Sequence, residues 1–264
     1  MHNISKATII LSNRCNLNCS YCFVGRNGSP CLNIARIKSF IRWFIAQPIN
    51  GECKKLNFSG GEPFQNFVLL REAILFFKRH NTNKQTDIET IPTNGTVLTQ
   101  EILNFVREEN LRVSFSLDGN RISNVARSFK NGENCFDLVW HNLGKFRDFA
   151  GEPPLVKMTV LPSNVKHLYS NVKFMVENGF YKVWPNPGIF KVKWARGDVD
   201  IFVSEYKKVL RFFLKNRLSG RQIFLIPVDN VIINSGKGKL RERDFFCGLG
   251  EFPILSFDGN IYAC

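Results

Sequence analysis

The chain has 264 residues, of which 44% are hydrophobic and 22% are charged, and this composition excludes wholesale disorder, a collagen-like chain and a coiled coil. The formal net charge of +14 favours anionic partners but does not choose between nucleic acid, an acidic peptide and a phosphorylated small molecule. No apolar run approaches the ~18 to 20 residues of a membrane helix, and the apolar segment 7–11 is too short for a secretion signal. We therefore expect a soluble, cytoplasmic protein that does not engage a membrane.

Strand-like and helix-like segments alternate along the first 218 residues, a pattern typical of parallel strands joined by right-handed helical crossovers. The alternation predicts an α/β fold, a partial (β/α)6 TIM-like barrel, with its functional site at the carboxyl ends of the strands. The predicted strand and helix pairs are 7–11 with 32–46, 55–58 with 67–78, 86–91 with 99–108, 111–117 with 136–149, 156–161 with 165–178, and 181–184 with 199–215.

The pattern changes after residue 218, where the strand and helix pairs stop. Near the end of the chain, Asp258 and Gly259 separate two short strand-like runs and predict a β-hairpin. We therefore divide the chain into a barrel at 1–218 and the beginning of an extension at 219–264.

Three cysteines, Cys15, Cys19 and Cys22, directly follow the first predicted strand. Three thiolates this close together can face one metal centre. Zinc needs four tetrahedral ligands, and no Cys or His completes such a set at a usual spacing. A [4Fe–4S] cluster can instead take three cysteines from one loop and keep one iron open. An incomplete zinc site is the alternative that this spacing leaves.

The pattern Cys-x3-Cys-x2-Cys, with the aromatic Tyr21 before its last cysteine, resembles the signature of the radical SAM superfamily. The resemblance implies an enzyme with a [4Fe–4S] cluster whose open iron binds the amino and carboxylate groups of S-adenosylmethionine. Reductive cleavage then gives a 5′-deoxyadenosyl radical that abstracts hydrogen from a substrate. The resemblance also implies a reducing partner such as flavodoxin or ferredoxin. The protein would position and shield this chemistry.

Segments that follow later strands resemble the family's S-adenosylmethionine contacts. The Gly60-Gly61-Glu62-Pro63 segment is expected to hold the methionine amino group, since glycine lets a backbone approach a ligand closely. The guanidinium of Arg127 suits a carboxylate, which it can bind through two hydrogen bonds. The resemblance assigns the cofactor to Tyr21, Phe23, Gly60, Gly61, Glu62, Pro63, Thr93, Asn94, Ser116, Asp118, Arg127 and Leu161, the last of these against the adenine.

The C-terminal residues Cys247, Gly259 and Cys264 resemble the opening of the SPASM or twitch extension, which holds auxiliary [4Fe–4S] clusters. The group that bears this extension includes sulfatase maturases and enzymes that modify ribosomally made peptides. Its members continue beyond this point with further cysteines, so we expect the chain to be a fragment. We interpret the isolated Cys31, Cys53 and Cys135 as ordinary core or surface residues.

Three functional hypotheses follow. The first is a radical SAM maturase that acts on a peptide or protein. The second is a radical SAM enzyme that acts on a nucleotide or RNA. The basic net charge supports it, as does the stretch 57–64, which also resembles an antiviral nucleotide-modifying group. The motif of Cys247 and Cys264 is evidence against that group. The third is a non-catalytic metal-binding module that holds RNA, and it predicts no binding of S-adenosylmethionine. The sequence names no general acid or base.

Overall fold

The computed structural model describes residues 4–24, 31–49, 53–236 and 252–263, and in these ranges β-strands alternate with α-helices. Predicted strand and helix positions agree with the structure to within a few residues, and one predicted strand is divided in two. The elements are β1 (Lys6–Ile10), α1 (Ile34–Ala46), β2 (Lys54–Ser59), α2 (Phe67–His80), β3 (Thr86–Ile88), β4 (Ile91–Thr93), α3 (Gln100–Glu108), β5 (Val113–Ser116), α4 (Phe136–Ala150), β6 (Leu155–Val160), α5 (Leu168–Glu177), β7 (Lys182–Pro187), α6 (Arg196–Leu218), β8 (Phe224–Leu225), α7 (Ile226–Gly236), β9 (Ile254–Leu255) and β10 (Ile261–Tyr262).

The strands form two five-stranded sheets, with the orders β10-β9-β1-β2-β3 and β4-β5-β6-β7-β8. Nearly every neighbouring pair is parallel, which confirms the predicted α/β architecture. The predicted strand 86–91 is wrong as a single strand. The backbone N–H of Glu89 still bonds to the carbonyl of Leu56 in β2, whereas that of Ile91 bonds to the carbonyl of Arg112, the residue before β5. The chain therefore changes sheet within two residues.

Successive strand residues point to opposite faces, and the two faces differ in chemistry. On β2, Leu56 and Phe58 are fully buried against the helices, while Asn57 between them is only half-buried. On β6, Lys157 occupies the corresponding place between the buried Val156 and Met158. The core thus lies between the strands and the helices, and the inner face of the sheets is polar.

One buried lysine ends α1. The Lys54 side chain is 1% exposed, and its ammonium donates hydrogen bonds to the carbonyl oxygens of Phe44 (2.7 Å), Ile45 (2.8 Å) and Gln47 (2.6 Å). These carbonyls belong to the last turn of the helix and its cap, where carbonyl groups lack the regular helical hydrogen bond; that of Phe44 also accepts from the N–H of Gln47 at 3.2 Å. A cation at this end also interacts favourably with the helix dipole. Lys54 therefore joins the start of β2 to the end of α1.

We expect Lys54→Met to lower the free energy of unfolding by about 2–4 kcal/mol, because it removes three charge-assisted hydrogen bonds to carbonyls at the end of the helix. The neighbouring Lys55 is half-exposed and forms a 3.2 Å ion pair with Asp87, so Lys55→Met should cost less than about 1 kcal/mol. Urea unfolding of the two variants measures the difference. Equal losses would contradict the capping role of Lys54.

The residues after 218 also contribute to the sheets. Strand β8 pairs with β7, and β9 pairs with β1, both in parallel. The predicted hairpin is confirmed, since β9 and β10 are antiparallel and the N–H of Gly259 bonds to the carbonyl of Ser256 at 2.9 Å. The division into domains at residue 218 stays a prediction. No helix in the described ranges is long and apolar enough to cross a membrane.

Candidate active site

The three cysteines of the motif lie on the loop that follows β1, at the carboxyl end of the strand. Cys15, Cys19 and Cys22 are all half-buried. Backbone hydrogen bonds fasten this loop to a second segment: Asn18 donates to Ser128 at 2.7 Å, and Ser20 donates to Ala126 at 3.0 Å. We call residues 15–22 the cysteine loop. It is held in place on both sides of Cys19.

Burial governs the protonation of these thiols. It raises the pKa of Cys15, and it raises the pKa of Cys19 to about 11. Two donors partly offset this effect at Cys15, because its Sγ accepts hydrogen bonds from the N–H of Leu17 (3.4 Å) and from Nδ2 of Asn94 (3.5 Å). Both thiols are therefore protonated without a metal, and metal binding has to displace protons.

The donor set fits a cluster better than a single ion. Among the described residues, no group of three His, Cys, Asp or Glu side chains is already arranged closely enough to hold a single metal ion. The three thiols nevertheless belong to one short loop and sense one another electrostatically. A cubane cluster is wider than one ion and can take three cysteines from a single loop. Cys15, Cys19 and Cys22 are thus suited to a [4Fe–4S] cluster.

The predicted glycine segment packs against residues 12–14, which lead into the cysteine loop. The N–H of Gly61 donates to the Ser12 carbonyl at 2.9 Å, and the N–H of Glu62 donates to the Arg14 carbonyl at 2.8 Å. A Cβ atom at Gly61 would lie 2.1 Å from the Arg14 oxygen, and one at Gly60 would lie 2.7 Å from the Ser12 oxygen. The close approach that requires glycine is therefore an approach to the protein's own backbone. Contact of this segment with S-adenosylmethionine stays a prediction.

We expect Gly61→Ala to displace the cysteine loop and to reduce the iron bound after reconstitution several-fold, since the new methyl group collides with rigid backbone. The matched control is Gly144→Ala in α4, where a Cβ meets nothing within 4 Å. There alanine should raise the free energy of unfolding by about 0.5–1 kcal/mol, because it favours the helix. Iron content and urea unfolding test both variants. Full iron uptake by Gly61→Ala would contradict the packing argument.

The buried side chain of Glu62 connects the loop after β2 to the loop after β4. The residue is 1% exposed, and its Oε1 accepts hydrogen bonds from the N–H of Phe64 (3.0 Å) and the hydroxyl of Thr93 (2.9 Å), while Oε2 accepts one from the N–H of Asn94 (2.6 Å). Burial raises its pKa to about 7. Pro63 follows as the first residue of a short 3-10 turn. The Glu62 carboxylate thus ties the loop after β2 to the loop after β4.

Asn94 connects this arrangement to the cysteine loop. Its Nδ2 lies 3.5 Å from the Sγ of Cys15 and 2.9 Å from the Oδ1 of Asn16. Asn16 in turn donates to the hydroxyl of Thr96 at 2.8 Å. Sequence reasoning selected Asn94 but missed Asn16 and Thr96. The position of Asn16 inside the cysteine motif was the available signal, but spacing alone does not show which way a side chain turns.

A second polar network connects Tyr21, Asp118 and Arg127, and its two charged groups lie close enough to Cys19 to affect the pKa of that thiol. The hydroxyl of Tyr21 donates to Oδ2 of Asp118 at 2.8 Å and accepts from Nη1 of Arg127 at 2.6 Å. Arg127 also forms a 4.0 Å ion pair with Asp118, and the two side chains are 5% and 0% exposed. Burial raises the pKa of Asp118, whereas the charge of Arg127 opposes that rise. The N–H of Thr159, which sequence reasoning missed, donates to Asp118 Oδ1 at 2.9 Å.

Buried polar atoms without a protein partner lie at the same end of the sheets. Asn13 is 4% exposed and lies two residues before Cys15, yet neither Oδ1 nor Nδ2 of its amide has a hydrogen-bond partner among the described residues. The Nε of Arg127 is also without a partner there. Such an atom costs about 1–3 kcal/mol unless something binds it. These donors and this acceptor fit a ligand with amino and carboxylate groups, and no sequence pattern pointed to Asn13.

The remaining predicted residues are dispersed around this site. Ser116 is half-buried at the end of β5, and Leu161 is buried just after β6. Phe23 is 66% exposed, and its ring centroid lies 5.5 Å from that of Phe190 beyond β7. Cys247 and Cys264 lie outside the described residues, as does any cluster that they would hold. Every cofactor contact assigned from the sequence stays a prediction, although the structure brings most of these residues to one end of the sheets.

Comparison with known proteins identifies the group to which this arrangement is similar. The model of the Radical SAM superfamily matches residues 9–174. An uncharacterized protein of Methanocaldococcus jannaschii is 30% identical over all of the chain and 84% of its own length. A cysteine-type anaerobic sulfatase-maturating enzyme of Clostridium novyi is 26% identical over all of the chain and 74% of its own length. A GTP 3′,8-cyclase of Desulforamulus reducens is 31% identical over 60% of the chain and 47% of its own length.

Among solved structures, native anSMEcpe with bound AdoMet superposes with a TM-score of 0.81 at 21% identity. The match covers 98% of the chain and 74% of that structure. At this identity the likeness shows that the fold is shared.

Proposed function

Since the chain belongs to the radical SAM superfamily, whose enzymes use a [4Fe–4S] cluster and S-adenosylmethionine, we propose that this enzyme abstracts a hydrogen atom from a peptide or protein and so matures it. The observation that carries the proposal is the similarity to a sulfatase-maturating enzyme over the whole chain, whereas the GTP cyclase matches only 60% of it. When bound, the two cofactors supply a 5′-deoxyadenosyl radical for that abstraction.

The protein's own residues have four tasks in this proposal. Cys15, Cys19 and Cys22 ligate the cluster as thiolates. The Asn94 amide, which donates to the Sγ of Cys15 at 3.5 Å, orients that ligand. The unpartnered amide of Asn13 and the Nε of Arg127 are available to the polar end of S-adenosylmethionine. The buried surroundings of the cysteine loop keep water away from the reactive centre.

The finer parts of the proposal concern location and partners. We place the enzyme in the cytoplasm, where flavodoxin or ferredoxin would supply the electron. A SPASM-like extension that begins at Cys247 and Cys264 would hold an auxiliary [4Fe–4S] cluster. Iron and sulfide analysis of Cys247→Ala tests that part, since the variant should bind less iron per chain than the native protein.

The substrate class is tested with the reconstituted enzyme. The chain is loaded with iron and sulfide without oxygen, reduced with dithionite and given S-adenosylmethionine. It then receives either synthetic peptides that each carry one cysteine or one serine, or GTP. We expect peptides to raise 5′-deoxyadenosine above the substrate-free background and to show a mass change. Stimulation by GTP and by no peptide would contradict the proposal and favour the nucleotide hypothesis.

A further inference from the structure

A cavity of about 790 Å³ occupies the inside of the two sheets. It extends from Leu155 and Lys182, where β6 and β7 begin, to Ser59 at the end of β2. Ser59 directly precedes Gly60 of the candidate active site. The inner-face residues of the strands, including Asn57, Lys157 and Trp184, line this cavity. A molecule inside it would therefore reach from the floor of the fold toward the cofactor site.

Most of the cationic residues that line the cavity are engaged by other groups of the protein, and two of them, Lys55 and Arg112, share the carboxylate of Asp87. Arg107 is exposed and lies over the ring of Phe149 at 4.4 Å, outside the inner face. The remaining cations except one are ion-paired: Lys6 with Glu89 (2.5 Å), Lys55 with Asp87 (3.2 Å), Arg112 with Asp87 (2.6 Å) and Lys182 with Glu152 (2.6 Å). The exception is Lys157.

Among the described residues of the inner face, Lys157 is the lining cation without an ion pair. Its ammonium lies 5.2 Å from the ring centroid of Trp184 and, within the part of the chain that the structure describes, makes no hydrogen bond or ion pair. The carboxylate of Glu89 is near but engaged, because it binds Lys6 at 2.5 Å and the amide of Asn57 at 3.0 Å. Burial lowers the pKa of Lys157, as expected for an ammonium that lacks a direct partner. A partly buried ammonium without an ion pair lowers the free energy of unfolding unless an anion binds it.

We propose that Lys157 determines substrate specificity by binding one carboxylate of the substrate inside the cavity. This inference rests on the proposed function, and it specifies a peptide with an acidic side chain near the residue that reacts. A single free ammonium matches a monoanion. A phosphate chain would need more donors or an arginine fork, and the other cations of the cavity are already engaged.

The test measures binding and stability together on the reconstituted enzyme. Peptide-observed NMR titrations use N-acetyl-Ala-Glu-Ala-amide, its glutamine counterpart and, separately, inorganic phosphate. We expect Lys157→Met to weaken binding of the glutamate peptide about ten- to hundredfold, which is the range for a charge-assisted hydrogen bond. The glutamine peptide should bind the native enzyme as weakly as the glutamate peptide binds this variant. Lys182→Met, which removes a paired cation from the same cavity, should bind like the native enzyme.

A stability measurement separates this role from a structural one. Methionine has nearly the volume of lysine and no charge, so the Tm of Lys157→Met should equal or exceed that of the native enzyme. A lower Tm would assign Lys157 to the architecture and overturn the proposal. Equal affinity for the two peptides, or tighter binding of phosphate, would overturn it as well. If the glutamate peptide binds through Lys157 but no peptide raises 5′-deoxyadenosine, the maturase function fails and the carboxylate site stands.

Discussion

The Cys19→Ala variant will reduce 5′-deoxyadenosine formation to the level of the cluster-free protein. Cys19 is the central ligand of the proposed set, and alanine offers nothing that can replace a thiolate on iron. The measurement is anaerobic reconstitution with iron and sulfide, followed by dithionite and S-adenosylmethionine, with 5′-deoxyadenosine determined by chromatography. We expect the variant to lose the cluster's visible absorption in parallel with its activity.

Cys53→Ala is the matched control, because it also removes one cysteine side chain but at an exposed position outside the motif. It should retain the iron content and the 5′-deoxyadenosine yield of the native enzyme. Unchanged activity in Cys19→Ala would show that this thiol is not a ligand. Uptake of zinc by the native chain, with no 5′-deoxyadenosine formed, would count against the assignment of a [4Fe–4S] cluster to the loop.

Arg127→Met will lower the free energy of unfolding by about 3–5 kcal/mol, because it leaves the Asp118 carboxylate buried without its counter-charge. The loss of unfolding free energy in Arg127→Met should increase with pH. The pKa of Asp118 is already raised by burial, and it rises further without Arg127. A carboxyl whose pKa is raised in the folded state opposes folding as pH rises above its unfolded value. The deficit should therefore be larger near pH 8 than near pH 4, where a larger share of Asp118 is protonated.

Arg121→Met is the control for Arg127→Met. Arg121 pairs with Asp137, and both side chains are more than half exposed, so this variant should change stability by less than about 1 kcal/mol. Urea unfolding at both pH values measures all the variants. Adding Asp118→Asn to Arg127→Met should restore part of the loss, since it removes the unpaired charge. If the Arg127→Met deficit is the same at pH 4 and pH 8, ionisation of Asp118 is not its cause.

The sequence predicted the features that depend on local pattern. Alternating apolar runs predicted the strands and helices, and the Asp258-Gly259 pair predicted the hairpin, because both follow from side-chain periodicity and turn chemistry. The position of the cysteine motif after β1 was also predictable, since motifs at strand ends converge at one edge of a parallel sheet.

Features that depend on partners far apart in the chain were not predictable. Glu62 was expected to contact a ligand, but its oxygens are engaged by groups of residues 64, 93 and 94, and the sequence does not show that these loops meet. The division of the predicted strand 86–91 follows from the exchange of one neighbouring strand for another. Lys157 was hidden for the same reason, because the inner face of a strand is defined only after the sheets have formed.

The pairing of β9 with β1 has a consequence for biosynthesis. Thr8 and Ile254 are register partners although almost the whole chain separates them. Closing so long a loop is entropically costly and slows the formation of the contact. On the ribosome, β1 can pair with β2 early, but its other edge stays open until the C-terminal segment has emerged. The strand that carries the cysteine loop thus completes its sheet only after residues 254 and 255 have been synthesised, and we expect the cluster to be inserted after that point.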